Sequence, residues 1–405
     1  MKPQLRLAEE TDRPLPYGLH AVDQSDVDAV TAALLSGCLA HGPRVGQFER
    51  AFADTVGAAE AVACSSGTAA LHLALAALDV GAGDVCVVPA VTFLSTATAA
   101  RLCGAEVVFA DVDPWSGLLT GAGVAEAVRR AGRPVKAVLP VHLGGRTCDM
   151  AEIAGAARAA GALVVEDACH APGGADADGR PVGGCAHSQA AAFSFHPVKA
   201  IAAGEGGMVA LNDRASAERM RRLRNHGVTK DPAQMVDPLL SLDEDGERNP
   251  WSYEQHELGF NYRMNELEAA LGLSQLSRLE RFVRRRQALA ALYDLRLASL
   301  SPMVDPVRPS PGEKPSLHLY QVLVDFEAAG RSRAEVMRSM AAVGIQTQVH
   351  YIPLYRQPYF RARYGELRLP GAEAFYAQVL ALPLFPAMAD ADVERVCEAL
   401  RAALA

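Results

Sequence analysis

Short apolar runs alternate with longer helical stretches from residue 20 to about residue 210. The runs have the length of buried strands, and the stretches between them have the length of helices. This alternation is typical of an α/β domain in which helices cover both faces of a mainly parallel sheet. We predict strands at 61–64, 85–88, 107–109, 135–139, 163–165, 190–195 and 207–211, and helices at 68–78, 94–102, 122–131 and 150–160.

The pattern changes after residue 227. Residues 228–255 are rich in Asp, Glu and Pro and are predicted to form a long loop, of a kind that is usually functional or mobile. A helical stretch from 266 to about 297 follows, and then strand-like 317–326, a helix near 333–343 and strand-like 344–351. We therefore predict a large domain over 1–255 and a smaller α+β domain over 256–405, which opens with the long helix.

Composition narrows the class of protein. The chain has 405 residues, of which 50% are hydrophobic, so it can bury a large core. A net charge of −8 argues against a nucleic-acid or anionic-membrane partner. The first residues lack the apolar run of a signal peptide, and no apolar run is long enough to span a membrane. Eight cysteines without a CxxC pair indicate reduced thiols in a cytoplasmic protein, with no disulfide framework and no metal site.

The stretch CSSGTAALHLAL (64–75) has the order strand, small polar residues, helix. Backbone N–H groups at a helix start, together with hydroxyl groups, favour an anion such as phosphate. An ordinary N-cap by Ser or Thr explains the same pattern equally simply. The stretch matches neither GxGxxG nor GxxxxGK[ST], so the sequence supports neither a Rossmann dinucleotide site nor a P-loop.

Asp167 ends an apolar run in LVVEDACHAPGG (163–174). A carboxylate at the end of a buried strand needs a partner, and a protonated ring nitrogen of a ligand is one candidate. Capping of a helix N-terminus is the alternative. His170, three residues later, could donate to the same ligand or could be a structural histidine.

Lys199 lies among small and apolar residues in AAFSFHPVKAIAAGEGGMV (191–209). An amine in a half-buried pocket has a lowered pKa and can form a Schiff base with an aldehyde, although a lone lysine is ordinarily solvated. The glycines at 204, 206 and 207 permit a tight turn into the next strand. A phosphate cradle, a buried Asp and a Lys, in this order, are the parts that hold pyridoxal phosphate.

Longer motifs point to a family. SGT followed by a helix, EDACHAPGG, FSFHPVKAIAAGEGG and GFNYRMNELEAALGLSQL resemble the DegT/DnrJ/StrS family of nucleotide-sugar aminotransferases. The resemblance covers nearly the whole chain after the first dozen residues. It implies a fold type I enzyme that uses pyridoxal phosphate, with a mainly parallel seven-stranded sheet flanked by helices, a smaller α+β C-terminal domain, and a homodimer that shares its active sites.

The family assigns a role to each matching position. Lys199 would be the Schiff-base lysine and proton carrier, Asp167 would pair with the pyridine nitrogen, and His196 would position its neighbours. The remaining cofactor contacts would be the phosphate ligands Gly67, Thr68 and Ser194, His170 at the ring hydroxyl, Phe93 stacked on the ring, and Asn261 from the partner subunit. A core Phe is the alternative for Phe93.

Finer motifs resemble one branch of the family. RLRNHGVTKDP, WSYEQHELGFNYRM, HLYQVLV and QVHYIPLYRQPYF are similar to the UDP-4-amino-4,6-dideoxy-N-acetyl-β-L-altrosamine transaminases of pseudaminic acid biosynthesis. The resemblance implies glutamate as the amino donor and a UDP-linked 4-keto-6-deoxy-N-acetyl hexosamine as the acceptor. Candidate substrate contacts are His41, His226, Arg263, His318, Tyr320, His350 and Tyr351.

One departure from the family lies near the start of the chain. Where relatives often read Thr-Gln-Gly-Pro, this chain has Ala40-His41-Gly42-Pro43, so that His41 is a candidate to replace a lost substrate contact. Three alternatives stay open at this point. They are transfer to a different nucleotide-linked keto sugar, a pyridoxal-phosphate-dependent sugar dehydratase, and a non-catalytic binding protein.

Overall fold

A seven-stranded sheet forms the centre of the molecule in the computed structural model, which describes residues 13–405. The expectation about a signal peptide at the chain's start concerns residues outside this range. The strand order is β1-β7-β6-β5-β4-β2-β3, and β7 alone runs antiparallel to its neighbours. The strands are β1 (Glu60–Cys64), β2 (Val85–Pro89), β3 (Glu106–Ala110), β4 (Ala137–Val138), β5 (Leu163–Asp167), β6 (Ala190–Ser194) and β7 (Gly207–Leu211).

Helices cover both faces of this sheet. Every residue of β2, β6 and β7 is buried, as expected for strands packed on both sides. The helices of this region are α1 (Gln24–Leu34), α2 (Pro43–Val56), α3 (Gly67–Ala77), α4 (Leu94–Leu102), α5 (Gly121–Ala131), α6 (Met150–Ala159) and α7 (Arg214–Leu223). The predicted α/β architecture with seven strands is confirmed, although β4 is shorter than the apolar run that predicted it.

A second core lies in the C-terminal part of the chain. Three antiparallel strands, in the order β10-β11-β12, pack with helices on a buried apolar cluster. The elements after residue 227 are β8 (Val228–Thr229), α8 (Pro238–Ser241), β9 (Glu254–Gln255), α9 (Glu266–Leu276), α10 (Leu279–Leu297), β10 (Val304–Pro306), β11 (Tyr320–Val324), α11 (Arg333–Ala342), α12 (Pro358–Tyr364), α13 (Pro370–Gln378), β12 (Val379–Leu382) and α14 (Asp390–Leu404).

Three predictions for this part need correction. Residues 344–351 are not a strand, because Ile345 and Gln348 bridge to two different partners, Leu15 and Ala381, and no ladder forms. The third strand of the small sheet is instead β12. The long helical stretch is two helices, α9 and α10, and the segment 228–255 is partly regular, because β8 pairs with β9.

The N-terminal segment packs on both cores. Leu15 is fully buried in the C-terminal apolar cluster, while α1 and α2 pack against α9 beside the large sheet. The proposed boundary between residues 255 and 256 stays a prediction. Among the helices of residues 13–405, none combines the length and the apolar character that a membrane span requires.

Candidate active site

A cavity of about 470 Å³ opens at the carboxyl ends of the parallel strands. Ligands of open α/β sheets bind at this edge. Nearly all the predicted cofactor contacts line the cavity, namely Gly67, Thr68, Phe93, Asp167, His170, Ser194 and Lys199. The smaller domain closes it with His318, His350 and Tyr351.

The turn between β1 and α3 is pressed against the edge of the sheet. Cys64 and Ser194 are both paired with Gly207, the first residue of β7. A Cβ atom on Gly207 would lie 2.1 Å from the carbonyl oxygen of Ser66, so only glycine allows this approach. The start of α3 therefore lies beside the end of β6.

The start of α3 provides the anion site. The Ser66 hydroxyl caps the helix by accepting from the Ala69 amide at 3.1 Å, so the N-cap interpretation is also correct. The amides of Gly67 and Thr68, the first two residues of α3, point out of the helix and line the cavity with Ser194. Free amides at a helix N-terminus, with the Ser194 and Thr68 hydroxyls, suit a phosphate group.

Gly67 has no room for a side chain. A Cβ atom at this position would lie 2.7 Å from Cβ of Ser194. We expect Gly67→Ala to weaken pyridoxal phosphate binding by about 10-fold or more, because the start of α3 must move away from Ser194. A fluorescence titration of the cofactor measures this. Gly155→Ala in α6, where a Cβ atom meets nothing within 4 Å, is the matched control; equal affinities for the two variants would contradict the argument.

Asp167 is buried at the end of β5 and is held by two donors. The Thr96 hydroxyl donates to one carboxylate oxygen at 2.6 Å, and the Cys169 amide donates to the other at 3.2 Å. Thr92 in turn lies 2.8 Å from Thr96, hydroxyl to hydroxyl. These bonds orient the carboxylate at the cavity wall, where it can accept a hydrogen bond from a protonated ring nitrogen.

Lys199 follows β6 in a turn closed by its own amide, which donates to the His196 carbonyl at 2.8 Å. Burial lowers the pKa of the Lys199 amine, while the negative charge of Asp167 partly opposes the change. The amine is therefore unprotonated more often than in water and is a better nucleophile and proton acceptor. His196 lines the same cavity, but its ring is exposed, and within residues 13–405 its one hydrogen-bond contact is the Val198 amide, at 3.5 Å.

His170 is buried beside Asp167 as a defined tautomer. Its Nδ1 accepts from the Gly144 amide at 3.2 Å, so the ring proton is on Nε2. Nε2 then donates to the Tyr351 hydroxyl at 3.3 Å, which leaves the Tyr351 proton for a ligand in the cavity. Burial lowers the pKa of His170 well below its usual range, with the Lys199 charge adding to the effect.

His318 and His350 bring two further imidazoles to the cavity. Both are buried, and Nδ1 of each has no hydrogen-bond partner within residues 13–405. The His318 ring lies 4.5 Å from that of His170, centroid to centroid. Burial, and then the charge of Lys199, lowers the pKa of His350 to about 3. Burial also lowers the pKa of His318 well below its usual range, so both rings are neutral near pH 7.

The buried His350 should make the fold sensitive to acid. The ring has a folded pKa of about 3 and an unfolded pKa near 6.5, so below pH 6.5 the unfolded chain binds the additional proton. Stability is then lost as the pH falls. Between pH 7 and pH 4 we expect the wild type to lose about 3 kcal/mol more free energy of unfolding than His350→Gln. Urea titrations at equal cofactor loading measure both curves, and parallel curves would refute the assignment.

Five of the predicted residues do not reach this cavity. His41 and His226 are exposed, with φ of 59° and 62°, and Asn261 is exposed beyond β1. Arg263 instead donates to the Asn225 side chain at 2.8 Å. Tyr320 is part of the small core, where its hydroxyl donates to Asp294 at 2.7 Å.

The structure also adds residues that the sequence analysis did not name. Thr92 and Thr96 lie close to Phe93 along the chain, and hydroxyl groups near a predicted ring-stacking residue were an available signal. Gly144, Arg146 and Gln321 carried no such signal, because they meet the site only through the fold. Within residues 13–405 no three His, Cys, Asp or Glu side chains are arranged to hold a metal ion.

The donor set fits pyridoxal phosphate. The amides of Gly67 and Thr68 suit the phosphate, Asp167 suits a protonated pyridine nitrogen, and Lys199 lies in the same cavity. Phe93, which is 52% exposed, stands at the cavity wall 5.9 Å from the Tyr351 ring, centroid to centroid. It is therefore available to stack on a ligand and is not a core residue.

Comparisons with known proteins agree with this geometry. The family described as "DegT/DnrJ/EryC1/StrS aminotransferase family" matches residues 20–401. The spore coat polysaccharide biosynthesis protein SpsC of Bacillus subtilis is 37% identical over 398 residues, which are 98% of each chain.

Two solved structures extend the likeness. PseC of Helicobacter pylori, an aminotransferase involved in the biosynthesis of pseudoaminic acid, superposes with a TM-score of 0.87 at 26% identity, over 97% of this chain and 99% of that chain. The aminotransferase TlmJ of Streptoalloteichus hindustanus gives 0.85 at 32% identity, over 96% and 99%. The fold type I architecture and the expected enzyme class, a pyridoxal-phosphate-dependent sugar aminotransferase, are confirmed. This chain belongs to the DegT/DnrJ/EryC1/StrS aminotransferase family.

Proposed function

We propose that the protein transfers the amino group of glutamate to the keto carbon of a nucleotide-linked 4-keto-6-deoxy sugar, a UDP-linked N-acetyl hexosamine in the first instance. The observation that carries the proposal is the meeting of Lys199, Asp167 and the anion site of α3 in one cavity. The likeness to PseC, an aminotransferase involved in the biosynthesis of pseudoaminic acid, supports the choice of sugar. SpsC, a protein of polysaccharide biosynthesis, supports a sugar substrate more generally.

The residues divide the work between binding and proton transfer. When bound, pyridoxal phosphate supplies a carbonyl group that links covalently to amines and a ring that accepts electrons. Gly67, Thr68 and Ser194 bind its phosphate, and Asp167 keeps a proton on its ring nitrogen. Nζ of Lys199 takes the proton from the α-carbon of the donor and, in the second half of the reaction, returns a proton to the sugar carbon.

We also propose a homodimer with shared active sites. Asn261 is exposed in a single chain and does not line that chain's own cavity, which is compatible with its predicted contact to the partner's cofactor. Several large apolar side chains of the 228–258 region are exposed as well, among them Leu239, Trp251 and Leu258. A monomer in light scattering at assay concentrations would contradict this proposal.

A substrate panel tests the function. UDP- and dTDP-linked 4-keto-6-deoxy sugars are incubated with ¹⁵N-glutamate and the cofactor-loaded enzyme, and the products are weighed by mass spectrometry. We expect ¹⁵N in the UDP-linked N-acetyl sugar. If ¹⁵N appears only in a dTDP-linked product, the acceptor is a dTDP-linked sugar and not the proposed one. If the sugar loses water and gains no ¹⁵N, the enzyme is a dehydratase and not an aminotransferase.

A further inference from the structure

Two buried arginines lie behind the two histidines of the smaller domain. Arg286 on α10 is 1% exposed, and Arg146, after β4, is 2% exposed. Neither guanidinium lies within 4.0 Å of a carboxylate of residues 13–405; each instead donates to neutral oxygen atoms. Burying a cation without a directly paired carboxylate costs several kcal/mol, and for Arg146 the charges of Glu313 and Asp113, beyond 4.0 Å, offset only part of the effect of burial.

Arg286 holds the backbone that carries His318. Its guanidinium donates to the His318 carbonyl at 3.2 Å and to the Leu384 carbonyl at 2.9 Å, while its Nε has no partner among the described residues. The contact ties His318, two residues before β11, to Leu384, two residues after β12. His318 thereby presents its ring to the cavity without any hydrogen bond of its own at Nδ1.

Arg146 is linked to His350 by hydrogen bonds through the Gln321 side chain. It donates to the Gln321 side-chain oxygen at 2.6 Å and to the Ser116 carbonyl at 2.9 Å. The Gln321 amide then donates to the His350 carbonyl at 3.1 Å. A Cβ atom on Gly144 would lie 2.8 Å from the same Gln321 oxygen, so the chain leaves room for this relay.

We propose that Arg286 and Arg146 are positioning residues: they fix the main chain of His318 and, through Gln321, of His350, so that both imidazoles meet hydroxyl and carbonyl groups of the sugar. The inference rests on the proposed sugar acceptor. With Nδ1 buried, Nε2 is the nitrogen of each ring that can meet a ligand. A neutral imidazole suits an uncharged polar group, and no arginine lines the described cavity to receive an anion there.

A double-mutant cycle tests the link. We expect Arg286→Met to raise the KM for the sugar about 10-fold, and to change the rate of the glutamate half-reaction, followed by cofactor absorbance, less than about 3-fold. In a His318→Ala background, Arg286→Met should raise the KM for the sugar by less than about 2-fold further, because its effect depends on His318. Arg285→Met is the control: Arg285 adjoins Arg286 on α10 but pairs with Asp390 at 2.9 Å, so the KM should not change.

Each result of this cycle either supports or overturns the proposed role of Arg286. Unchanged KM in a folded Arg286→Met, or independent effects in the cycle, would overturn the inference. If Arg286→Met does not fold, a second double-mutant cycle with Gln321→Leu and His350→Ala tests the link from Arg146 to His350 in the same way. A wild-type enzyme that turns over glutamate but accepts no sugar would overturn the proposed function, and this inference with it. If the wild type accepts the sugar, the proposed function stands and the cycle tests only the role of the arginines.

Discussion

Lys199→Ala is expected to lower kcat by about 10⁴-fold or more, because one amine takes the proton from the donor and returns a proton to the product. Lys199 is the only lysine that lines the described cavity. Single-turnover measurements with glutamate, followed by the change in cofactor absorbance, measure the loss. Added methylamine should restore part of the rate, since it can carry the same proton.

His196→Ala is the matched control for this substitution. His196 lines the same cavity three residues earlier, but its ring is exposed and has only one weak contact. We expect its loss to cost less than about 10-fold in kcat, as for a positioning residue. If Lys199→Ala kept the wild-type rate while His196→Ala abolished it, the imidazole would be the proton carrier and the assignment would be reversed.

Asp167→Asn is expected to lower kcat by about 10³-fold. The carboxylate, fixed by Thr96 and the Cys169 amide, keeps a proton on the cofactor's ring nitrogen, and an amide of the same shape carries no charge to do so. The glutamate half-reaction measures the effect. The cofactor's absorbance maximum should shift as well, since the ring nitrogen loses its proton.

Glu166→Gln is the control for Asp167→Asn. Glu166 is the adjacent buried carboxylate of β5, but successive side chains of a strand point to opposite faces. Its oxygens meet His142 at 2.8 Å and Ser188 at 2.5 Å, away from the cavity. We expect Glu166→Gln to lower the free energy of unfolding but to leave the kcat of the folded enzyme nearly unchanged. Equal losses of kcat for Glu166→Gln and Asp167→Asn would show that removing any buried charge here disables the enzyme.

Local sequence predicted the sheet and the groups at its edge because both depend on short-range patterns. The apolar runs identified all seven strands, Asp167 stood out as a carboxylate at the end of one such run, and Lys199 stood out as an amine among small and apolar residues shortly after another. The same reasoning failed where distant segments decide the structure. Residues 344–351 have the alternation of a strand, but two different partners divide them, and Tyr320 reads as a polar contact although Asp294 and the small core enclose it.

The residues that support the site from behind could not be predicted from local sequence either, because distant segments bring them together. Arg286 lies in a helix with several other arginines, and nothing in its neighbours along the chain separates it from an exposed one. Its burial follows from the packing of α10 against the small sheet. Thr96 is different, because it lies three residues after the predicted ring-stacking residue Phe93 and needed only the recognition that a buried Asp167 requires donors.

The packing of Leu15 sets the order in which the protein can mature on the ribosome. Leu15 pairs through its main chain with Gly344 and Gln346, and the Leu384 amide donates to the Tyr17 carbonyl at 3.1 Å. Tyr17 also lines the cavity. All seven strands of the large sheet have been synthesised once β7 has emerged, but the first segment must wait for nearly the whole of translation to find its partners. A polypeptide released before Gly344 would have no partner for the main chain of Leu15 and no finished pocket.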